Sequence, residues 1–484
     1  MSFKNLYYKV SRDPLYGEIR LYPFELLLID SEPMQRLRRL SQLAGAEAPY
    51  PSATHNRFSH SLGTMYVAGL YASKLYEDCS KISLLRLAGL VHDIGHGPFS
   101  HQFDDVVYKA CGYEEGHDEF RKRIVVEYLP EKLELRFNSL SEQNKKEVVK
   151  HCELILKRKI KNPAKDFREI LKKTEKIFEG EGHGEVGFNI VQGPLGADRL
   201  DFVARDAYFS GTKHYGTVPV DRIIRNSYIK KLNGKEILCY ESRVIDDIFS
   251  VMVGRFMMYK NVYFHKTARA ADLMIQDILR RSIDLLNLKK RIENIDEFLK
   301  LTDQRILNEI EFMYETNPSN NQLAELHGEV VKLLNRDLWK KIFEVPFTSK
   351  GTDPSVLAES FSLSIIESIK KSLQKLLKEK KYDKEDEEEL KYIQKNADRL
   401  FKIDTPYKLT LMSPDEFIPN EVYLYDKSND KILSFDDYLK TSPFTFMWAS
   451  TIQIIRIYIT EDKRRLLTKY KLLPDLKSQT TTRW

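Results

Sequence analysis

Cysteine is scarce in this chain. Only four occur in 484 residues, Cys79, Cys111, Cys152 and Cys239, and no two stand at CxxC spacing. That excludes a disulfide scaffold and a cysteine zinc site, and fits free thiols in a reducing, cytoplasmic setting. No apolar run reaches the 18 residues of a membrane helix, and MSFKNLYYKV lacks the apolar stretch of a signal peptide. An excess of one charge is missing too. Basic residues number 77 and acidic ones 71, leaving +6, too balanced to argue nucleic-acid binding by itself. Disorder is excluded by a hydrophobic content of 42%. No internal repeat is visible, and the length suits one large core or two to three domains.

Histidine is also rare, at 11 residues, yet five fall in two short pieces, HNRFSHS (55–61) and GLVHDIGHGPFSH (89–101), and a sixth is His117. The adjacent pair His92 and Asp93 can turn an imidazole nitrogen and a carboxylate oxygen toward one cation. His60 and Asp198 are the candidates to complete the set. Such donors suit Zn, Fe, Mn, Co or Ni and leave positions open for water. His96, His101 and His117 are expected around this centre, where imidazoles titrate near neutral pH and serve as acids or cations. A second metal on His96 and His117 is the rival reading. His55 is expected to serve only the structure of its loop.

The pattern along the chain is mainly helical. Leu84, Leu87, Leu90, Val91 and Ile94 recur near a 3.6-residue period, and Gly97–Pro98 ends that helix. One long helix is expected over about 245–286. Residues 140–180, rich in Lys and Glu, read as an exposed, mobile insertion, and 379–400 as a charged surface helix. Strands are expected at 408–412, 421–426 and 451–460. The expectation is therefore a mainly α protein: a helical core over 1–300, then a small helical and α+β C-terminal lobe over 301–484, read as serving regulation and oligomerisation.

Five segments carry a resemblance: QRLRRLSQL (35–43), HNRFSHSLG (55–63), LAGLVHDIGHGPFSH (87–101), ADRLDFVARD (197–206) and YFHK (263–266). Together they resemble the HD-domain dNTP triphosphohydrolases of the SAM-and-HD type, without the SAM domain, and related bacterial dGTP triphosphohydrolase-like proteins. The resemblance runs from about residue 8 to 345. It implies hydrolysis of a dNTP at the α-phosphorus, giving deoxynucleoside and triphosphate. His60, His92, Asp93 and Asp198 would hold one divalent transition metal, with Mg on the nucleotide phosphates. His101 would act near the leaving 5′-oxygen. His96 and His117 would bind or protonate phosphate oxygens, with Asp104 orienting His117.

The same resemblance places Arg57, Arg199 and Arg255 on the triphosphate, Gln42, Leu43 and Tyr263 around the sugar, and Asp206 on its 3′-hydroxyl. Phe202 stands where the family has a tyrosine, and Tyr259 where the vertebrate enzyme has a histidine. A guanine-nucleotide effector, GTP or dGTP, would be read by Asp30, Gln35 and Arg38. Arg222, His265 and Lys266 would meet its phosphates, and Arg336 and Leu338 would arrive from a neighbouring subunit. Glu241, Arg12 and Asp247 depart from the family at the second effector position. A homotetramer is implied. Two other classes stand beside this one: an HD phosphatase or phosphodiesterase on another nucleotide, and a nucleotide- or nucleic-acid-binding regulator with little turnover.

Overall fold

A computed structural model describes residues 6–179, 186–349, 355–405, 422–441 and 451–474. It is mainly α. The helices that matter below are α1 (Arg57–Leu75), α2 (Cys79–Val91), α3 (Glu142–Leu156), α4 (Pro163–Glu175), α5 (Ala197–Phe209), α6 (Ile245–Met258) and α7 (Lys266–Leu285). They continue with α8 (Asp303–Thr316), α9 (Asn321–Leu334), α10 (Ser355–Glu379), α11 (Glu387–Leu400) and α12 (Glu461–Lys469). No helix among the described residues is long and apolar enough to cross a membrane.

Three small sheets join them. β1 (Lys9–Asp13) pairs with β2 (Gly17–Leu21). The second sheet has the order β3-β4-β7-β8, from β3 (Ser227–Leu232), β4 (Lys235–Glu241), β7 (Tyr423–Asp426) and β8 (Lys431–Ser434). The third has β9 (Thr451–Ile459) between β5 (Lys340–Ser349) and β6 (Lys402–Asp404). The first two hairpins escape the mostly helical reading of 1–300. One signal for them was present: Asn233–Gly234, at φ 50° and 80°, is the dipeptide that closes a two-residue hairpin.

Helix α1 lies between α2 and α5, and small residues let it. A Cβ on Gly89 would stand 2.9 Å from the Met65 backbone, and one on Gly63 would strike Asp201. Asn56 caps α1 by accepting the Ser59 N–H at 3.1 Å, and Asp78 caps α2 through Ser80 at 3.0 Å. These caps fix where His60 and His92 emerge.

Three expectations are corrected. Residues 140–180 are no exposed insertion: α3 and α4 bury Val148, Cys152, Ile155, Phe167, Ile170 and Leu171 in the main core, and His151 is fully buried between Phe24 and Ser83. The Lys and Glu residues occupy only the outward face of an amphipathic pair. The boundary at residue 300 cuts a single core, because Ile306, Ile310, Leu323 and Leu326 of α8 and α9 pack with Leu37 and Phe120. The parallel pairing of β4 with β7 also carries the late chain back into the early one. The long helix over 245–286 is broken: a π-helical turn over Tyr259–Tyr263 follows α6, and His265, at ψ 131°, starts α7 afresh.

The C-terminal part is α+β as expected. Helices α10, α11 and α12 pack on the β5-β9-β6 sheet around Ile369, Leu373, Ile393, Ile457 and Leu467. Strands 421–426 and 451–460 appear as β7 and β9, while the strand expected at 408–412 lies outside the described residues.

Candidate metal centre and phosphate site

His60, one turn into α1, and His92, at the end of α2, bring their Nε2 atoms to 3.2 Å. Asp198, near the start of α5, stands 3.0 Å from His60 Nε2 and 3.6 Å from His92 Nε2. Asp93 lies 3.3 Å from His92 Nε2 and 3.8 Å from His60 Nε2. The donor atoms of His60, His92 and Asp93 lie within 4.8 Å of one another, and Asp198 stands against both imidazoles. Each imidazole is fixed from behind. His60 Nδ1 donates to Asp201 Oδ2 at 2.8 Å, and His92 Nδ1 to the Gly89 carbonyl at 2.8 Å. Pinning both Nδ1 atoms turns both Nε2 atoms toward the position a cation would take. The donor set fits a divalent transition ion.

Asp201 is a functional residue that the motif reading passed over. It sits on α5 three residues beyond Asp198, on the same face, and that spacing was its signal. Arg205 holds it with bonds of 2.8 and 3.0 Å, and Arg205 itself pairs with Asp13 at 3.0 Å. Burial opposes charge on Asp201, but Arg205 and His60 hold its carboxyl at about 2. Burial would likewise lower His60. Hydrogen bonds to Asp198 and Asp201 prevail and raise it to about 10 in the metal-free protein.

Arg57 joins this centre to the next layer. Its NH1 donates to Asp93 Oδ2 at 2.6 Å and its Nε to Ser100 Oγ at 2.6 Å, while its buried NH2 has no protein partner. Burial would raise the Asp93 carboxyl, yet Arg57, then His92 and His96, hold it well below the usual carboxylate range. His96 Nε2 is 3.4 Å from Asp93 Oδ1. From there Asp104 Oδ2 gathers three imidazoles: His96 at 3.4 Å, His101 at 3.3 Å and His117 at 3.1 Å. The expectation gave Asp104 one histidine to orient; three stand within 3.4 Å of it. His96 and His117 stack at 4.1 Å but titrate apart. Burial, with Arg57 and His117 close by, lowers His96 to about 4, whereas Asp104 raises His117 against its burial. His101 is 69% exposed and so is open to a ligand. The donor atoms of His96, Asp104 and His117 also lie within 4.8 Å of one another, enough to hold a second cation.

The expected sugar residues gather beside this layer. Leu43, Phe202 and Tyr263 pack on one apolar cluster with Val203, Met258 and Val262. The π-helical turn puts the Tyr263 hydroxyl 2.6 Å from Asp206 Oδ2, and Tyr259 meets Tyr263 edge-on. His55 is more than loop structure. It is buried, stacks on Phe209 and bonds Asp206 Oδ1 at 2.9 Å, so two side chains fix Asp206. Gln42 keeps a buried Oε1 without a protein partner. Arg255 lies over the Tyr259 ring at 4.7 Å. Arg199 spends NH1 on the Gln192 and Gly193 carbonyls, which binds it to the loop before α5.

The expected effector residues are treated differently. Asp30 pairs with Arg136 at 2.8 Å, and Arg222 with Asp247 at 2.6 Å. Gln35 bridges the Ile29 carbonyl and Arg38, and Arg38 covers the Phe58 ring at 3.7 Å. His265 caps α7 through Thr267, and Lys266 follows it, exposed. Arg336 donates to the Ala48 carbonyl. Leu338 is corrected: it is buried in the chain's own core with Ala270, Met274 and Tyr458, so in this conformation it presents no surface to a neighbour.

Two helices presenting a histidine and a His-Asp pair, completed by an aspartate from a third, define a metal-centred helical class, and the comparisons agree. Residues 57–161 match the HD domain and 218–368 an HD-associated region. Residues 57–161 thus carry an HD domain, followed by its associated region. Its relatives include an uncharacterized protein of Methanocaldococcus jannaschii, 33% identical over 63% of this chain and 57% of that one. Another is the deoxynucleoside triphosphate triphosphohydrolase SAMHD1 of Bos taurus, 27% identical over 69% of this chain and 59% of that one. The chain thus spans less than two thirds of the length of both. A crystal structure of a hypothetical protein from Aquifex aeolicus shares the fold, with TM-score 0.61 and 22% identity over 96% of this chain and 99% of that one.

Proposed function

We propose that the chain is a metal-dependent dNTP triphosphohydrolase, cleaving at the α-phosphorus, working as a homo-oligomer and responding to a guanine nucleotide. One observation carries the reading. A four-donor cation site stands 3.4 Å, through Asp93 and His96, from an imidazole layer whose members are tuned apart. Groups of divergent pKa side by side are what phosphoryl transfer needs.

His60, His92, Asp93 and Asp198 would hold the cation, which would supply Lewis acidity toward a phosphoryl oxygen when bound. Arg57, with one buried donor unspent, gives it to an α-phosphate oxygen in the same site. His117, favoured as a cation by Asp104, neutralises phosphate charge. His96 stays neutral at pH 7, and the exposed His101 takes the role of proton donor that the resemblance implies. With Nδ1 on Asp104, the exposed His101 hands a proton from Nε2 to the departing 5′-oxygen. The bond between the α-phosphorus and that oxygen breaks, and water oxygen joins the phosphorus. Deoxynucleoside and triphosphate leave. Arg199 and Arg255 carry the distal phosphates. Leu43, Phe202 and Tyr263 form the sugar floor, and Asp206, held by His55 and Tyr263, meets the 3′-hydroxyl.

Product analysis in ¹⁸O-water tests this. With Mn²⁺ or Mg²⁺, each dNTP should yield deoxynucleoside and triphosphate, with the label in triphosphate. If no dNTP is cleaved with any metal, the reading fails. If a nucleoside monophosphate is cleaved instead, and Arg199→Ala and Arg255→Ala leave that activity intact, the phosphatase alternative replaces it.

A further inference from the structure

Two loops frame the proposed substrate site: Ser41–Leu43, which carries the sugar contacts, and Phe99–His101, which carries the acid. Both rest on one carboxylate from a third element. Asp303, the first residue of α8, accepts the Ser41 N–H on Oδ2 at 2.8 Å and the Phe99 N–H on Oδ1 at 2.7 Å. From Ser41 the linkage continues. The Ser41 carbonyl accepts the Ser100 hydroxyl at 2.5 Å, Ser100 Oγ accepts Arg57 Nε, and Arg57 grips Asp93. A second fastening lies at the same junction. Fully buried Arg36 donates to the Leu301 carbonyl at 2.9 Å and to the His96 carbonyl at 2.7 Å. The clamp holds a costly backbone. Phe99 and Ser100 are consecutive non-glycine residues at φ 59° and 58°, a conformation that persists only where its surroundings impose it.

We infer that Asp303 is a positioning residue that locks the sugar-facing loop to the histidine-bearing loop and, through Ser100 and Arg57, sets the sugar register against the metal ligand Asp93. The inference rests on the function proposed above for its catalytic consequence, and on geometry alone for the clamp. It follows that sugar fit is read in kcat: a loosened loop 41–43 costs turnover more than binding.

Two variants test this in the full chain. Asp303→Asn keeps one acceptor and presents an NH₂ to the other amide. Ser100→Ala breaks the next link and leaves Asp303 intact. For Asp303→Asn the expected results are amide exchange at least tenfold faster in peptides covering Ser41 or Phe99, and a kcat about tenfold lower on dNTPs with KM changed much less. Metal content should be unchanged. Ser100→Ala should lower kcat and the dNTP-to-NTP preference together while sparing protection at Phe99. Exchange is read without substrate, so a wild-type chain that cleaves no dNTP overturns the function while the clamp is still decided. Wild-type exchange and kcat in Asp303→Asn overturn the inference. If that variant does not fold, unchanged kcat and sugar preference in Ser100→Ala overturn it.

Discussion

The resemblance that assigns the metal centre also assigns the effector positions, yet the structure treats the two in opposite ways. At the centre, His60 and His92 have their rear nitrogens bound and their front nitrogens converging. At the effector positions, Asp30 and Arg222 already hold charges of this same chain, Arg136 and Asp247, and Leu338 is buried. Preorganisation explains the difference. A centre made by three helices of one core is complete as soon as that core folds. Under the proposed function the effector site is completed by a second subunit; its charged groups would find local partners until that subunit arrives, and those partners would compete with the ligand. The competition at Asp30 and Arg222 is mild, because exposed pairs are worth at most about 1 kcal/mol.

The largest effect that sharpens this contrast is at Asp198. Its side chain is 26% exposed, so Asp198→Ala removes a ligand with little damage to packing. We expect loss of bound metal and a roughly thousandfold or greater fall in dNTP hydrolysis with an unchanged circular dichroism spectrum. Elemental analysis of the purified variant checks the metal. Full occupancy with full activity would break the contrast, because the convergence would then carry no chemistry.

Next in size is Asp201, which touches no substrate and no metal. Asp201→Asn weakens the hold on His60 Nδ1 and should lower metal affinity about 10- to 100-fold, with activity regained at high metal concentration. Competition with a chelating dye measures it. A variant that stays inactive at saturating metal would show that Asp201 does more than aim His60.

The third test uses pH. His60 in the metal-free protein is raised to about 10 by Asp198 and Asp201 against its own burial, so a cation must displace its proton. Metal affinity should rise up to about tenfold per pH unit between pH 7 and 9, with close to one proton released per ion in calorimetry. The sign for stability follows. A folded pKa above the unfolded value near 6.5 means this contribution is whole below about pH 6.5 and is lost as pH rises through about 10. Melting of metal-free protein across pH 6.5 to 10 should therefore show a decline that bound metal flattens.

What the sequence made legible was short-range. His92 and Asp93 are adjacent, His60 is one turn past a capping Asn56, and Asp198 opens its own motif, so each ligand announced itself within a few residues. Asp201 was equally local and could have been found from helical spacing. Asp303 could not, because it is 262 residues from Ser41 and speaks only to backbone amides, which leave no mark on the side chains they hold. His55 misled for a related reason: its partner Asp206 lies 151 residues on. Helix α3 shows the remaining failure. Composition read its Lys and Glu residues as exposure, but burial is set by which face they occupy, and Val148, Cys152 and Ile155 occupy the other.

The smallest expected effects lie at the effector positions, and they decide whether the pairs there are competitors. If Arg136 and Asp247 merely neutralise groups awaiting a nucleotide, then Arg136→Ala and Asp247→Asn each free a reader, Asp30 in one case and Arg222 in the other. Each should shift the GTP concentration for half-maximal activation downward by a few fold, in line with the modest worth of an exposed ion pair, and leave the activated kcat alone. Arg136→Ala should act on the base-reading end, so that its gain is larger for guanine than for other purine triphosphates. Asp247→Asn should act on the phosphate end and gain equally with any base. The opposite shift, upward in both, would mean that these pairs build the site and do not block it. The contrast with the metal centre would then be one of degree, with both sites preorganised inside a single chain.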